Sequence, residues 1–136
     1  MIVKLSDIVD AIESADQYSE YFLDRVTGET VWVSDMAMTY DEKEQICDQL
    51  DEHGFYRLPS SRDIHDYGIM EDFISSLPAG EAREKLTVSI NGSGAFRRFK
   101  DTVYHLRLDQ SWYEWRDNAY RRLAVDWCKE NRIEWE

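Results

Sequence analysis

The sequence predicts an α+β fold: a small antiparallel N-terminal sheet, made of a hairpin plus a third strand, packed with a mainly helical C-terminal half. Three observations carry this expectation. Short runs rich in β-branched and aromatic residues occur only before Ser60. From Ser60 onward the apolar period changes from two to about 3.6 and stays there. A chain of 136 residues with 43% hydrophobic and 13% aromatic content is long enough for one true core, and two would be a strain. The expected organisation is one domain, 1–136, whose α/β front (1–59) and helical back (60–136) share that core.

In chain order, Ser6 reads as the cap of a short helix, with Asp7 near its positive end and Leu5, Ile8, Val9 and Ile12 as one apolar stripe. Tyr18 to Leu23 and Thr30 to Ser34 read as a hairpin, and the Asp24 to Glu29 link has turn chemistry with Gly28 available for a bulge. A hairpin alone is marginal in water, so a third strand is needed, and Phe55 to Leu58 before Pro59 is the best candidate. Between them Thr39 and Glu42 have capping-box spacing, Ile46, Cys47 and Leu50 make the inner side of a helix, and Gly54 ends it. Its other face carries Asp41, Glu42, Glu44, Asp48, Asp51 and Glu52.

Beyond Ser60, a helix opened by Asp66 or a serine before it aligns Tyr67, Met70, Phe73, Ile74 and Leu77 and ends near Pro78 and Gly80. A second, from about Glu81 to Asn91, turns Ala82, Leu86 and Ile90 inward. It leads into Gly92-Ser93-Gly94, where positive φ is accessible and the Ser93 hydroxyl can cap the helix that follows. In that helix Phe96, Phe99, Val103 and Leu106 fall on one side, and Arg97, Arg98, Asp101 and His105 on the other. The last helix is expected from Ser111, at capping-box spacing to Glu114, to about Asn131, with Ile133 folding back after the C-cap. Trp112, Ala119, Tyr120, Leu123 and Trp127 define its apolar stripe, and Arg116 lies in the middle of it.

Composition narrows the function classes. No apolar run approaches about 18 residues, and Met-Ile-Val-Lys-Leu passes into a helix without a signal-type apolar region, so a soluble cytoplasmic protein with no membrane partner is expected. Cys47 and Cys128 sit in helical patterns with no CxxC and no His/Cys cluster at ligand spacing, which implies reduced packed thiols, no metal and no cofactor. The net charge of −12 opposes nucleic acid globally. It is uneven: Met1 to Asn91 holds 7 basic and 20 acidic residues, whereas Gly92 to Leu123 holds seven against four.

The local excess of positive charge coincides with the glycine turn. Gly92, Ser93, Gly94, Arg97, Arg98 and Lys100 are the candidate anion- or partner-binding residues, because unpaired amides and the positive end of the helix dipole beside guanidinium groups suit phosphate or carboxylate. The plainer alternative stays open: the glycines make only a tight turn and Arg97 pairs with Asp101 one helical turn on. Arg116 in an aromatic stripe must be paired, and Glu71 is the expected partner in a buried ion pair, against a snorkelling stem that reaches water.

Several stretches together, Leu58-Pro59, Tyr67 to Phe73, Gly92 to Asp101, and Trp112 to Arg116 followed by Tyr120, Ala124 and Trp127, resemble an uncharacterised bacterial protein family of the UPF type with no assigned activity. That resemblance implies a small intracellular bacterial protein and lends no catalytic residues. Ile90, Gly92, Gly94 and Ala95 are also similar to the helix-hairpin-helix DNA-binding motif, from which Ser93 departs where an apolar residue is usual.

For an enzyme, His53, His65 and His105 lie beside many carboxylates, yet none sits in a nucleophile elbow, phosphate loop, dinucleotide fingerprint or metal spacing. His53 reads as a dipole partner at a helix C-terminus and His105 as solvated surface. A non-enzymatic binding or regulatory module is expected, its partner a protein or the phosphate of nucleic acid. A nucleic-acid-binding protein using a helix-hairpin-helix-like turn, an acidic nucleic-acid mimic and an enzyme of unknown reaction are the alternatives.

Overall fold

A computed structural model describes residues 1–136. It has six helices and a three-stranded antiparallel sheet, an α+β fold with a mainly helical C-terminal half. The chain divides into two compact units, Met1–Ile64 with Tyr120–Glu136, and His65–Ala119.

In the first unit, β2 (Ser19–Asp24) lies between β3 (Thr30–Ser34) and β4 (Phe55–Arg57). Tyr21 faces Trp32 across one pairing and Leu23 faces Tyr56 across the other. The hairpin and third strand are thus as expected. A pair of two-residue strands, β1 (Ile2–Val3) and β5 (Glu134–Trp135), adds a parallel ladder with no sequence signal, because two residues cannot show a period. Helix α1 (Leu5–Ser14) buries Leu5, Ile8, Ala11 and Ile12. It starts one residue before Ser6, and Lys4 at its N-cap makes no side-chain cap, so the expected Ser6 cap is corrected. Helix α2 (Tyr40–His53) does begin on the capping oxygen of Thr39, which accepts from the Glu42 amide at 3.2 Å. It buries only Leu50; Cys47 is exposed, not packed, and the acidic face is solvated.

Helix α6 (Asp109–Glu130) supplies residues to both units. It starts two residues before Ser111, and the Trp112 amide already bonds the Leu108 carbonyl at 2.9 Å, so Ser111 lies inside the helix rather than capping it. In the first unit its Tyr120, Ala124, Trp127 and Cys128 are buried, and Trp127 Nε1 donates to the Arg57 carbonyl at 2.8 Å. At its end Arg132 takes φ 57° and the Ile133 amide returns to the Cys128 carbonyl at 2.8 Å. This is the fold-back expected of Ile133, which is buried.

The second unit comprises α3 (Asp66–Ser76), α4 (Glu81–Ser89), α5 (Ala95–His105) and the start of α6. Met70, Phe73, Ile74, Leu86, Ile90, Phe99, Val103 and Trp112 form one buried cluster. Phe99 meets Trp112 edge-on at 4.8 Å between ring centroids, and Phe73 meets Trp112 at 5.4 Å. These are inner positions that helical spacing assigns to α3, α4 and α5. Phe96 and Tyr67 are exceptions. Ala95 takes the buried place at the start of α5 while Phe96, expected on the inner side, is exposed. Tyr67, aligned with the inner stripe of α3, is exposed as well and spends its hydroxyl on the Ile90 carbonyl. The core fixes both helices that flank the glycine turn, so the geometry of that turn is set from below.

Candidate functional site

The turn between α4 and α5 runs from Ile90 to Gly94. Gly92 and Gly94 take φ of 78° and 77°, the left-handed region that a side chain resists. At Gly94 a Cβ would also lie 3.1 Å from Arg98 Nη1. The two glycines are therefore required by the path of the chain.

Helical spacing places Arg98 off the apolar stripe, and it is exposed, but its guanidinium is not turned to an external anion. Its Nε donates to the Ser89 carbonyl at 3.1 Å, Nη2 donates to the carbonyls of Asn91 and Gly92, and Nη1 donates to that of Ser93. Tyr67 Oη donates to the remaining carbonyl, that of Ile90, at 2.8 Å. A helical wheel reports where a Cβ points, and the flexible Arg98 stem folds back from that point over the end of α4. All five carbonyls from Ser89 to Ser93 are thereby satisfied by side chains.

The amides of the same turn are treated differently. The backbone N–H groups from Gly92 to Arg97 find no acceptor in the chain, and the first bond of α5 is Arg98 N–H to the Gly94 carbonyl at 3.1 Å. The Ser93 hydroxyl does not cap α5, correcting that expectation, and Gly94 at the N-cap has no side chain to do so. Arg97 and Lys100 are exposed on the first turns of α5, and no carboxylate of the chain engages them. The alternative pairing of Arg97 with Asp101 is accordingly not made.

Beside the turn, an open groove of about 810 Å³ is lined by Val88, Ser89, Arg98, Asp101, Thr102 and His105 among others. On α5 itself Phe96 is 50% exposed and Tyr104 56% exposed. Tyr104 Oη shares a hydrogen bond with Tyr113 Oη, which raises the Tyr104 hydroxyl above its ordinary value.

Arg116 is half-buried, with its side chain 32% exposed and its guanidinium carbon 5.5 Å from the Tyr113 ring centroid. Asp117 stands 4.0 Å away. Glu71 is exposed on α3, so a pair with it would be a surface contact and not the buried one expected. His65 and His105 are exposed, in keeping with the surface reading of His105.

One polar cluster escaped the sequence reading altogether. Asp24 is fully buried, and its carboxylate accepts from the amides of Val26 at 2.8 Å and Thr27 at 3.1 Å, from Gln49 Nε2 at 3.5 Å and from His53 Nδ1–H at 2.8 Å. Burial pushes the Asp24 carboxyl up, but the hydrogen bonds from His53, Thr27, Val26 and Gln49 outweigh it and hold the carboxyl at about 2. The pair closes a turn of the first unit. An Asp at the mouth of a hairpin turn was the available signal; the 29-residue separation of His53 hid the other half.

The fold and this turn define an α+β protein in which no helix is long and apolar enough to cross a membrane and no group of acidic, His or Cys side chains could hold a metal. The model of a family described as Uncharacterised protein family UPF0158 matches residues 1–136, and the chain belongs to that family. It is 20% identical to a UPF0158 protein of Chlamydia trachomatis serovar D over 98% of this chain and 42% of that protein. It is 28% identical to a UPF0158 protein of Pseudomonas aeruginosa over 49% of this chain and 44% of that one. The chain thus matches less than half the length of either curated relative. No solved structure matches it.

Proposed function

We propose that the protein is a non-enzymatic binding module that takes an anionic group, phosphate before carboxylate, at the α4–α5 turn. The observation behind this is the asymmetry of the turn: its carbonyls are all occupied by Arg98 and Tyr67, while six consecutive amides from Gly92 to Arg97 have no acceptor. Successive free amides at the positive end of a helix dipole are the backbone chemistry that binds phosphate. A tetrahedral dianion offers more acceptor oxygens to such a row than a carboxylate does.

The two arginines then divide the work. Arg98 holds the carbonyls and so sets the loop, and Arg97, exposed and without a carboxylate, supplies charge to the ligand together with Lys100. The phosphate belongs either to a nucleic acid or to a modified protein, and both readings share this site. The test is Arg97→Glu, with inorganic phosphate as the probe. Phosphate binding should weaken about tenfold or more, the size of a lost charge-assisted hydrogen bond, while melting shifts by less than about 1 kcal/mol, as for a surface substitution. A folded variant that binds phosphate as the wild type does would remove the proposal.

A further inference from the structure

We infer that α5 carries a platform for single-stranded nucleic acid, in which a strand whose phosphate lies at the turn stacks its bases on Phe96 and Tyr104 around Lys100. This rests on the phosphate reading of the turn and names the polymer to which the phosphate belongs.

The platform is built by spacing. Phe96, Lys100 and Tyr104 are separated by four residues each, so at about 100° per residue they form one shallow stripe, and Tyr104 stands about 12 Å along the axis from Phe96. The buried side of α5 is Ala95, Phe99 and Val103, so the stripe is not the core face misread. Phe96 and Tyr104 are each half or more open to solvent, so both rings are accessible to a base. The Tyr104–Tyr113 hydrogen bond fixes one of the rings in place, and Arg116 lies over the Tyr113 ring behind it. A ring held on a rigid helix loses little freedom when a base stacks on it.

Charge decides between occupants. Arg97, Lys100 and Arg107 accompany the stripe against two acidic residues, Asp101 and Asp109, the second of which acts on Tyr104, within a chain of net charge −12. A local cationic face with interleaved aromatics suits a strand that offers phosphates and base π-faces together, and both are common to RNA and DNA strands. A duplex hides its bases and would use only the turn. The stripe begins one residue past the free amides of Gly94 and Ala95, so a phosphate there leaves its attached base beside Phe96.

The experiment titrates fluorescein-labelled oligo-dT and oligo-U strands, and a duplex of equal length, into the full chain and reads anisotropy. Inorganic phosphate is titrated separately against the turn amides. Phe96→Ala with Tyr104→Ala should weaken both strands about tenfold or more, leave the duplex little changed and leave phosphate at the turn unchanged. Lys100→Gln should lower the salt slope of strand binding by about 1. The inference falls if the duplex binds as well as the strands, or if the double variant binds strands unchanged while phosphate still reaches the turn. If phosphate does not perturb the turn amides, it is the phosphate reading that fails. If the double variant instead loses self-association in sedimentation and keeps strand binding, the rings are a protein interface and the inference is overturned.

Discussion

Two turns of this molecule solve the same problem in opposite ways. Between β2 and β3 the chain itself provides the anion: all six amides from Asp24 to Glu29 find acceptors, those of Val26 and Thr27 in the Asp24 carboxylate and the rest in Glu29, Gly54, Asp24 and Thr27 oxygens. Between α4 and α5 the chain provides a cation, Arg98, which satisfies the carbonyls and leaves six amides free. The first turn is closed and has no donors to offer. The second is half-finished, and what it lacks is an acceptor. A turn's residue types do not distinguish these cases, since both are rich in Gly, Ser or Thr and charge; the destination of each backbone group does.

The sharpest way to break the comparison is to reopen the closed turn. Asp24→Ala removes a buried acceptor shared by two amides, Gln49 and His53, and should lower the melting temperature more than any single substitution in the α4–α5 turn. Were its melting unchanged, the Asp24 network would not be what holds that turn. The same group sets an acid limb. Its folded pKa of about 2 lies below the unfolded value of about 3.9. Its contribution is therefore fully present above about pH 4 and is lost as pH falls through about 2. Melting followed from pH 5 downward should steepen in that window, and Asp24→Asn should flatten the slope there.

On the other turn the effects are smaller, because three of the four Arg98 hydrogen bonds are exposed. Arg98→Ala should cost about 1–2 kcal/mol in thermal or urea melts, a charged donor's contribution reduced by solvent. It should also abolish phosphate binding through loss of the turn's shape. Arg97→Ala should cost no more than about 0.5 kcal/mol yet weaken phosphate binding. Equal stability losses for the two arginines would erase the division between builder and binder.

The sequence makes this architecture legible where a periodic signal is long. The hairpin, the third strand at Phe55, the Thr39 cap and most inner positions of α3, α4 and α5 follow from turn and cap chemistry and from periods of two or about 3.6. Caps are less secure, because Ser6, Ser93 and Ser111 all have the right chemistry one or two residues from a helix start, and the starts are fixed by tertiary packing. The β1–β5 pairing joins Ile2 to Glu134 at opposite ends of the chain with only two residues per strand, so nothing local announces it. At the candidate site the glycines, the helix start and the basic cluster were all readable. The fate of the Arg98 guanidinium was not, since a long side chain can reach carbonyls on the far side of its own helix start.

The claim that one turn is closed and the other open to an acceptor is tested most directly by amide chemical shifts. In a ¹⁵N–¹H correlation experiment with increasing inorganic phosphate, the amides of Gly92 to Arg97 should move saturably and those of Val26 and Thr27 should stay where they are. Stationary amides at Gly92 to Arg97, or equal movement at both turns, would contradict the account.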